Sequence, residues 1–164
     1  MKQHTLANAT ITQTANNRYT IVFECPLPAD IFGAWNMLML ADERNRWIDD
    51  VVIDDTRDGK VLFNFGTDGI VRGKVISINK PSELVHTWLW NDAPTSEVSW
   101  TFLRESDTST LLKLTHQNVN EELTAHHAAH WHKTLSALLS YAEQNNLPAP
   151  DIDELLKRYS KTLV

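Results

Sequence analysis

The sequence predicts an α+β fold: a curved antiparallel sheet of about six to seven strands, two short helices after the first strand, and a long C-terminal helix over the concave face. Three observations carry that expectation. Apolar residues recur at helical spacing through "PLPADIFGAWNMLML"; from Asp50 to His116 they alternate in short segments, as strands do; and from Asn120 to Gln144 the helical period returns in a run without proline or glycine.

Taken in order, "YTIVFECP" is rich in β-branched and aromatic residues and stops at a proline, the mark of a strand. The preceding "ATITQT" can pair with it across the turn "ANNR". In the next segment Ile31, Trp35 and Leu38 repeat as on one helix face, behind Pro28, which suits a first helical turn. "ADERNRWI" opens with acids and closes on Arg46 and Trp47, the order a helix dipole favours, and is read as a second short helix. "VVIDDTRDGKVLFNF" is a hairpin turning at Asp58-Gly59; "GIVRGKVISI", "SELVHTWLW", "SEVSWTFL" and "TLLKLTH" follow as strands. Their connections are short, so successive strands are antiparallel neighbours. "NEELTAHHAAHWHKTLSALLSYAEQ" has Asn120 as N-cap and acids in its first turn. At about 1.5 Å per residue it spans on the order of 37 Å, enough to cross a whole sheet. Residues 1–146 are expected to form one domain, and 147–164 a proline-bounded C-terminal appendix with a short amphipathic helix.

The 164 residues suit one domain, able to bury roughly 70% of the surface an unfolded chain exposes. A single cysteine, Cys25, permits no internal disulfide, and its place at the end of an apolar run favours a buried thiol. The N-terminal stretch has no apolar signal region and no eighteen apolar residues are consecutive, so a soluble, cytoplasmic protein without membrane insertion is expected. A formal net charge of −6 with scattered positive charges argues against nucleic acid as a partner.

Strand alternation sorts side chains into two faces. Val98, Trp100 and Phe102 share one; Leu112, Leu114 and His116 another segment's inner face; Leu84, His86, Trp88 and Trp90 a third; Val61, Phe63 and Phe65 a fourth. The long helix offers Trp131, Leu135, Leu138 and Ala142 as a stripe, with Leu123 and His127 beside it. A straight helix over a bent sheet leaves a gap, and a gap lined by rings is an apolar pocket. Its candidate ligand-binding residues are Trp47, Phe63, Phe65, His86, Trp88, Trp100, His116, His127 and Trp131, with Trp47 and Trp131 at the mouth and His116 and His86 as polar anchors. The plainer reading of His116 is a buried histidine satisfied by a backbone carbonyl.

The stretch "HHAAHWH" holds four of seven histidines, and His126 and His130 have the spacing of a helical metal site. His126, however, falls on the flank shared with Glu122 and Lys133, splayed away from His127 and His130, and no acid completes a binding face. No metal is expected there; the flank reads as polar and titratable. The chain contains no glycine-rich phosphate loop, zinc-type Cys/His pair or nucleophile elbow.

The strings "PADIFGAWNML" followed by "RWIDD", "GKVISINKPSELVHTW", "SEVSWTFL", "STLLKLTHQNV" and "HWHKTLSALLSYAE" resemble, in order and spacing, the SRPBCC superfamily and within it the branch named after the activator of heat-shock protein ninety ATPase. The resemblance covers about Tyr19 to Gln144. His86 stands where the family often has Phe or Tyr, and the tail from Leu147 lies outside the pattern. The resemblance implies a helix-grip, START-like fold with a cavity between sheet and helix. It carries over no catalytic set and no cofactor. The expected function is non-enzymatic binding of a small, largely apolar molecule, a lipid or an aromatic. The alternatives are a cyclase- or hydrolase-like enzyme using His116 or His86 as acid/base in the same cavity, and a chaperone-interacting protein with a chaperone or a second copy of itself as partner.

Overall fold

The computed structural model describes residues 5–145 and 147–163. Its strands are β1 (Thr10–Ala15), β2 (Arg18–Leu27), β3 (Val51–Ile53), β4 (Lys60–Asn64), β5 (Ile70–Asn79), β6 (Glu83–Trp90), β7 (Ser96–Ser106) and β8 (Ser109–Asn120); its helices are α1 (Ile31–Met39), α2 (Ala41–Arg44), α3 (Glu121–Ala142) and α4 (Ile152–Thr162). All eight strands join one antiparallel sheet in the order β1-β2-β8-β7-β6-β5-β4-β3, one strand more than the upper expectation. The hairpin of β1 and β2 turns at Asn17, which takes the left-handed conformation (φ 61°) that asparagine tolerates better than most residues.

The alternation read from the sequence governs the inner face. One cross-strand row, Ile21, His116, Val98, His86 and Val75, runs through β2, β8, β7, β6 and β5 and is wholly buried. The adjacent row brings together Phe23, Leu114, Trp100 and Leu84, buried as well. α3 lies against this face through Ala128, Trp131, Leu135 and Leu138. Each large side chain so buried contributes on the order of 2 kcal/mol or more, which is why the sheet curls around the helix.

Capping explains where helices begin. Asn120 accepts from the Glu122 N–H at 3.1 Å and starts α3 as expected. α1 starts later than Pro28 suggested: Asp30 is its N-cap, accepting from Gly33 N–H at 3.2 Å, and Pro28 lies outside the first turn. The second helix is only four residues, so Trp47 falls beyond it, its indole N–H bonded to Met37 O at 2.8 Å. Between them Arg44 is buried; its guanidinium donates to Leu38 O (2.7 Å) and Val51 O (3.4 Å), tying the carbonyl end of α1 to β3.

The C-terminal segment folds back onto the domain. Leu155 and Tyr159 of α4 are buried; the Tyr159 ring meets Phe23 edge-on and its hydroxyl bonds His132 Nδ1 at 2.7 Å while accepting from Ala9 N–H at 2.9 Å. One hydroxyl therefore joins α3, α4 and the segment before β1.

Candidate functional site

Eight of the nine side chains singled out from the sequence meet beneath the N-terminal half of α3. Strand parity delivers Phe63 and Phe65 from β4 and the residue following it, His86 and Trp88 from β6, Trp100 from β7 and His116 from β8; α3 lowers His127 and Trp131 onto them. Ring centroids lie 4.8 Å apart for Trp88 and Trp131, 5.1 Å for His116 and His127, 5.2 Å for Phe63 and Trp88, 5.4 Å for Trp100 and Trp131, and 6.1 Å for Phe63 and Phe65. These are contact distances for aromatic pairs. The rings fill against one another the space the bent sheet was expected to leave open, and Trp131 is 2% exposed rather than at a mouth.

Hydrogen bonds fix the state of the two sheet histidines. His86 Nε2 accepts from Trp100 Nε1–H at 3.0 Å, so its proton is on Nδ1, which donates to Thr87 O at 2.9 Å. His116 Nδ1 accepts from Trp131 Nε1–H at 3.0 Å, which puts its proton on Nε2, facing Ser96 Oγ at 2.7 Å. The serine hydroxyl turns on to Trp88 O at 3.4 Å. Ser96 was missed by the sequence reading, although the parity of Val98 and Trp100 extended two residues back turns it inward. Burial holds all these imidazoles neutral: His86 is lowered to about 4; His127, through burial and then the charges of His126 and His130, to about 3; and His116 well below the ordinary value, through burial and then His127 and His86. Trp88 is different. Its Nε1–H is buried and has no hydrogen-bond partner among the described residues.

The histidine flank of α3 is not the solvent-facing edge expected. His126 is half-buried, its ring 4.4 Å from His130 and 4.8 Å from Trp90, so the two side chains approach rather than splay. The β4–β5 connection covers this flank: the Phe65 ring lies 5.2 Å from that of His130, and Gly69 packs so close over Trp90 that a Cβ there would be 2.6 Å from the indole. Burial lowers the pKa of both His126 and His130, the latter to about 4, while the charge of Asp68 opposes the shift in each. Among the described residues no three His, Cys, Asp or Glu side chains are grouped to hold a metal ion.

Trp47, the ninth residue, is elsewhere. It lines a cleft of about 770 Å³ between the α1–α2 region and the C-terminal end of α3, continued by the chain around Leu147 and Ala149. Met37, Ala137, Tyr141 and Leu147 supply further apolar wall, and Glu43 and Arg46 the charges. The Tyr141 hydroxyl donates to Glu43 Oε1. Of these only Trp47 was legible in the sequence; Tyr141 lies off the apolar stripe of α3, and nothing local marks it as facing the second helix.

The sequence matches the family model described as activator of Hsp90 ATPase homolog 1-like protein over residues 29–143. The fold is similar to that of CalU16 from Micromonospora echinospora (TM-score 0.74, 19% identity, 96% of this chain and 94% of that one), to the Aha1 dimer from Colwellia psychrerythraea (0.65, 19%, 76% and 96%) and to an HSP90 activator from Plasmodium falciparum (0.53, 22%, 63% and 77%). Comparison with curated proteins gives no match.

Proposed function

Because this chain belongs to the activator of Hsp90 ATPase homolog 1-like family, we propose that it is a non-enzymatic binder of a small, largely apolar molecule, seated in the cleft that Trp47 lines. The observation that carries this reading is the cleft itself: at about 770 Å³, with an indole, a phenol and a thioether set among polar groups that include Ser140, Gln144, Asn145 and two charged residues, it has the size of a small-molecule site. The ring cluster, by contrast, is packed on itself.

The chemistry of Ser96 and His116 speaks against the hydrolase alternative. A serine nucleophile needs a neighbouring nitrogen with a free lone pair. Here the Trp131 N–H occupies the lone pair of Nδ1, and Nε2 presents a proton to the serine oxygen. The pair is 2.7 Å apart but in the wrong tautomer for base catalysis.

One observation favours a second seat for the guest. The buried, unpaired Trp88 Nε1–H lies among the rings of Phe63, Phe65, His86, His116, His127 and Trp131, where a guest carbonyl or ether oxygen would satisfy it if the rings part. The family, the similar Aha1 dimer and the similar HSP90 activator make a chaperone or a second copy of the chain the rival partners.

The test is native mass spectrometry of the purified protein for a co-purified small molecule, followed by calorimetric titration of that molecule into Trp47→Ala and Trp88→Phe. Loss of affinity confined to Trp47→Ala supports the cleft; loss confined to Trp88→Phe moves the guest to the ring cluster. A protein that carries no small molecule, binds none of a panel of lipids and aromatics, and retrieves a chaperone in a pull-down refutes the binder.

A further inference from the structure

Two charged side chains line the cleft, and they are not equivalent. Glu43 is engaged: its Oε1 accepts a hydrogen bond from the Tyr141 hydroxyl, and that bond is the main reason the phenol is held above its ordinary pKa. Arg46 is exposed; its backbone N–H donates to Glu43 O at 3.1 Å, while its guanidinium makes no hydrogen bond or salt bridge with any described residue. Its guanidinium is nonetheless close enough to the Tyr141 hydroxyl to pull that pKa back down, so the free cation stands beside the polar end of an aromatic wall. Trp47, Met37 and Leu147 supply the apolar part of the wall, and Ser140, Gln144 and Asn145 supply uncharged polar groups.

From this asymmetry we propose that the guest of the cleft is an amphipathic anion, a carboxylate or similar group on a flat or aliphatic apolar body, with Arg46 as the residue that binds the charge. The inference rests on the cleft reading above and narrows it to a class of ligand. An anion is taken up without breaking any existing bond: the guanidinium fork meets a carboxylate in two parallel hydrogen bonds while the apolar body covers Trp47 and Met37. A cationic guest finds one oxygen of Glu43 already taken by Tyr141 and accepts Arg46 as a like-charged neighbour. An anion meets the full donor fork of Arg46 and has Glu43, its charge partly offset by the phenol, as its own like-charged neighbour. A neutral guest leaves the guanidinium with water alone.

Three probes sharing one ring system separate these cases: naphthoate, naphthamide and naphthylmethylammonium, titrated near neutral pH into the wild-type chain and into Arg46→Gln by calorimetry or by amide shifts around Trp47. Naphthoate is expected to bind about 3- to 10-fold more tightly than naphthamide, an advantage typical of a charge-assisted pair that water still reaches. That advantage disappears in Arg46→Gln and shrinks as salt is raised, while naphthamide binds both proteins alike. Because Arg46 is exposed and its guanidinium unbonded, the variant keeps the wild-type circular dichroism and midpoint of unfolding. Equal or tighter binding of the amide or the ammonium, or a naphthoate advantage that survives Arg46→Gln, overturns the assignment of an anion while leaving the cleft as a binding site. Failure of all three probes to bind removes the cleft reading and the anion with it.

Discussion

Acidification is the perturbation that tests the ring cluster most directly. His86 and His116 are fully buried and His127 is 3% exposed. Burial lowers the first to about 4, the third to about 3 and His116 well below its ordinary value, while an unfolded chain gives each a pKa of about 6.5. Around His116 stand His127 and His86, and around His127 stand His126 and His130, so each proton taken up makes the next harder to add; Asp68 acts in the opposite sense on His126 and His130. Above about pH 7 both states are neutral and the stability is fully present. As pH falls through 6.5 the unfolded chain takes up protons that the folded chain refuses until pH 3 to 4, so stability is lost on the way down. His86 and His127 then remove about 2 kcal/mol each between pH 7 and pH 5, about 4 kcal/mol together, and His116 adds to the loss in the same direction. That is comparable with the whole stability of a modest domain, about 5 to 15 kcal/mol. Urea denaturation followed by circular dichroism at stepped pH measures the slope, to which His130 and His132, each lowered to about 4, also contribute, so His127→Leu is expected to flatten it by about a fifth as one of five strongly lowered imidazoles leaves the count. A loss below about 2 kcal/mol between pH 7 and 5, or imidazole resonances titrating near 6.5 in the folded protein, would show that these rings are not held neutral by burial and refute the reasoning.

Other perturbations read other parts of the fold. Tyr159→Phe strips the hydroxyl that serves both His132 and Ala9, leaving two polar groups unpaired; the expected loss is about 2 to 4 kcal/mol by urea denaturation, against under about 1 for Tyr141→Phe, whose bond to Glu43 is half-exposed. Gly73→Ala places a Cβ 2.1 Å from Thr87 O in the neighbouring strand, where backbone has to move; about 3 kcal/mol of destabilisation and faster amide exchange across β5 and β6 are expected, and wild-type stability would contradict the close approach of those strands. Cys25 is buried, its thiol pushed up to about 12 chiefly by burial, so a disulfide reagent should modify it only at the rate of unfolding; prompt reaction in the native protein would mean the β2–β8 seam opens locally.

The sequence alone determined the architecture, because burial of one face imposes a period that can be read residue by residue. The inward set of Val98, Trp100 and Phe102, of Leu112, Leu114 and His116, and of Val61 and Phe63 is buried as the alternation requires, and Asn120 and the stripe through Trp131 fix α3. Local signals also bring eight of the nine site residues together. Distances across the fold were beyond them. Whether the rings touch or leave a gap depends on how steeply eight twisted strands curl under a straight helix, a sum over many small angles that no single segment carries. His126 packs on Trp90, over which Gly69 of a distant turn lies, and Tyr141 meets Glu43 across 98 residues of sequence. The charge left free at Arg46 is likewise a tertiary fact: it depends on which carboxylates the folded chain brings within reach, and Glu43 turned to a phenol instead.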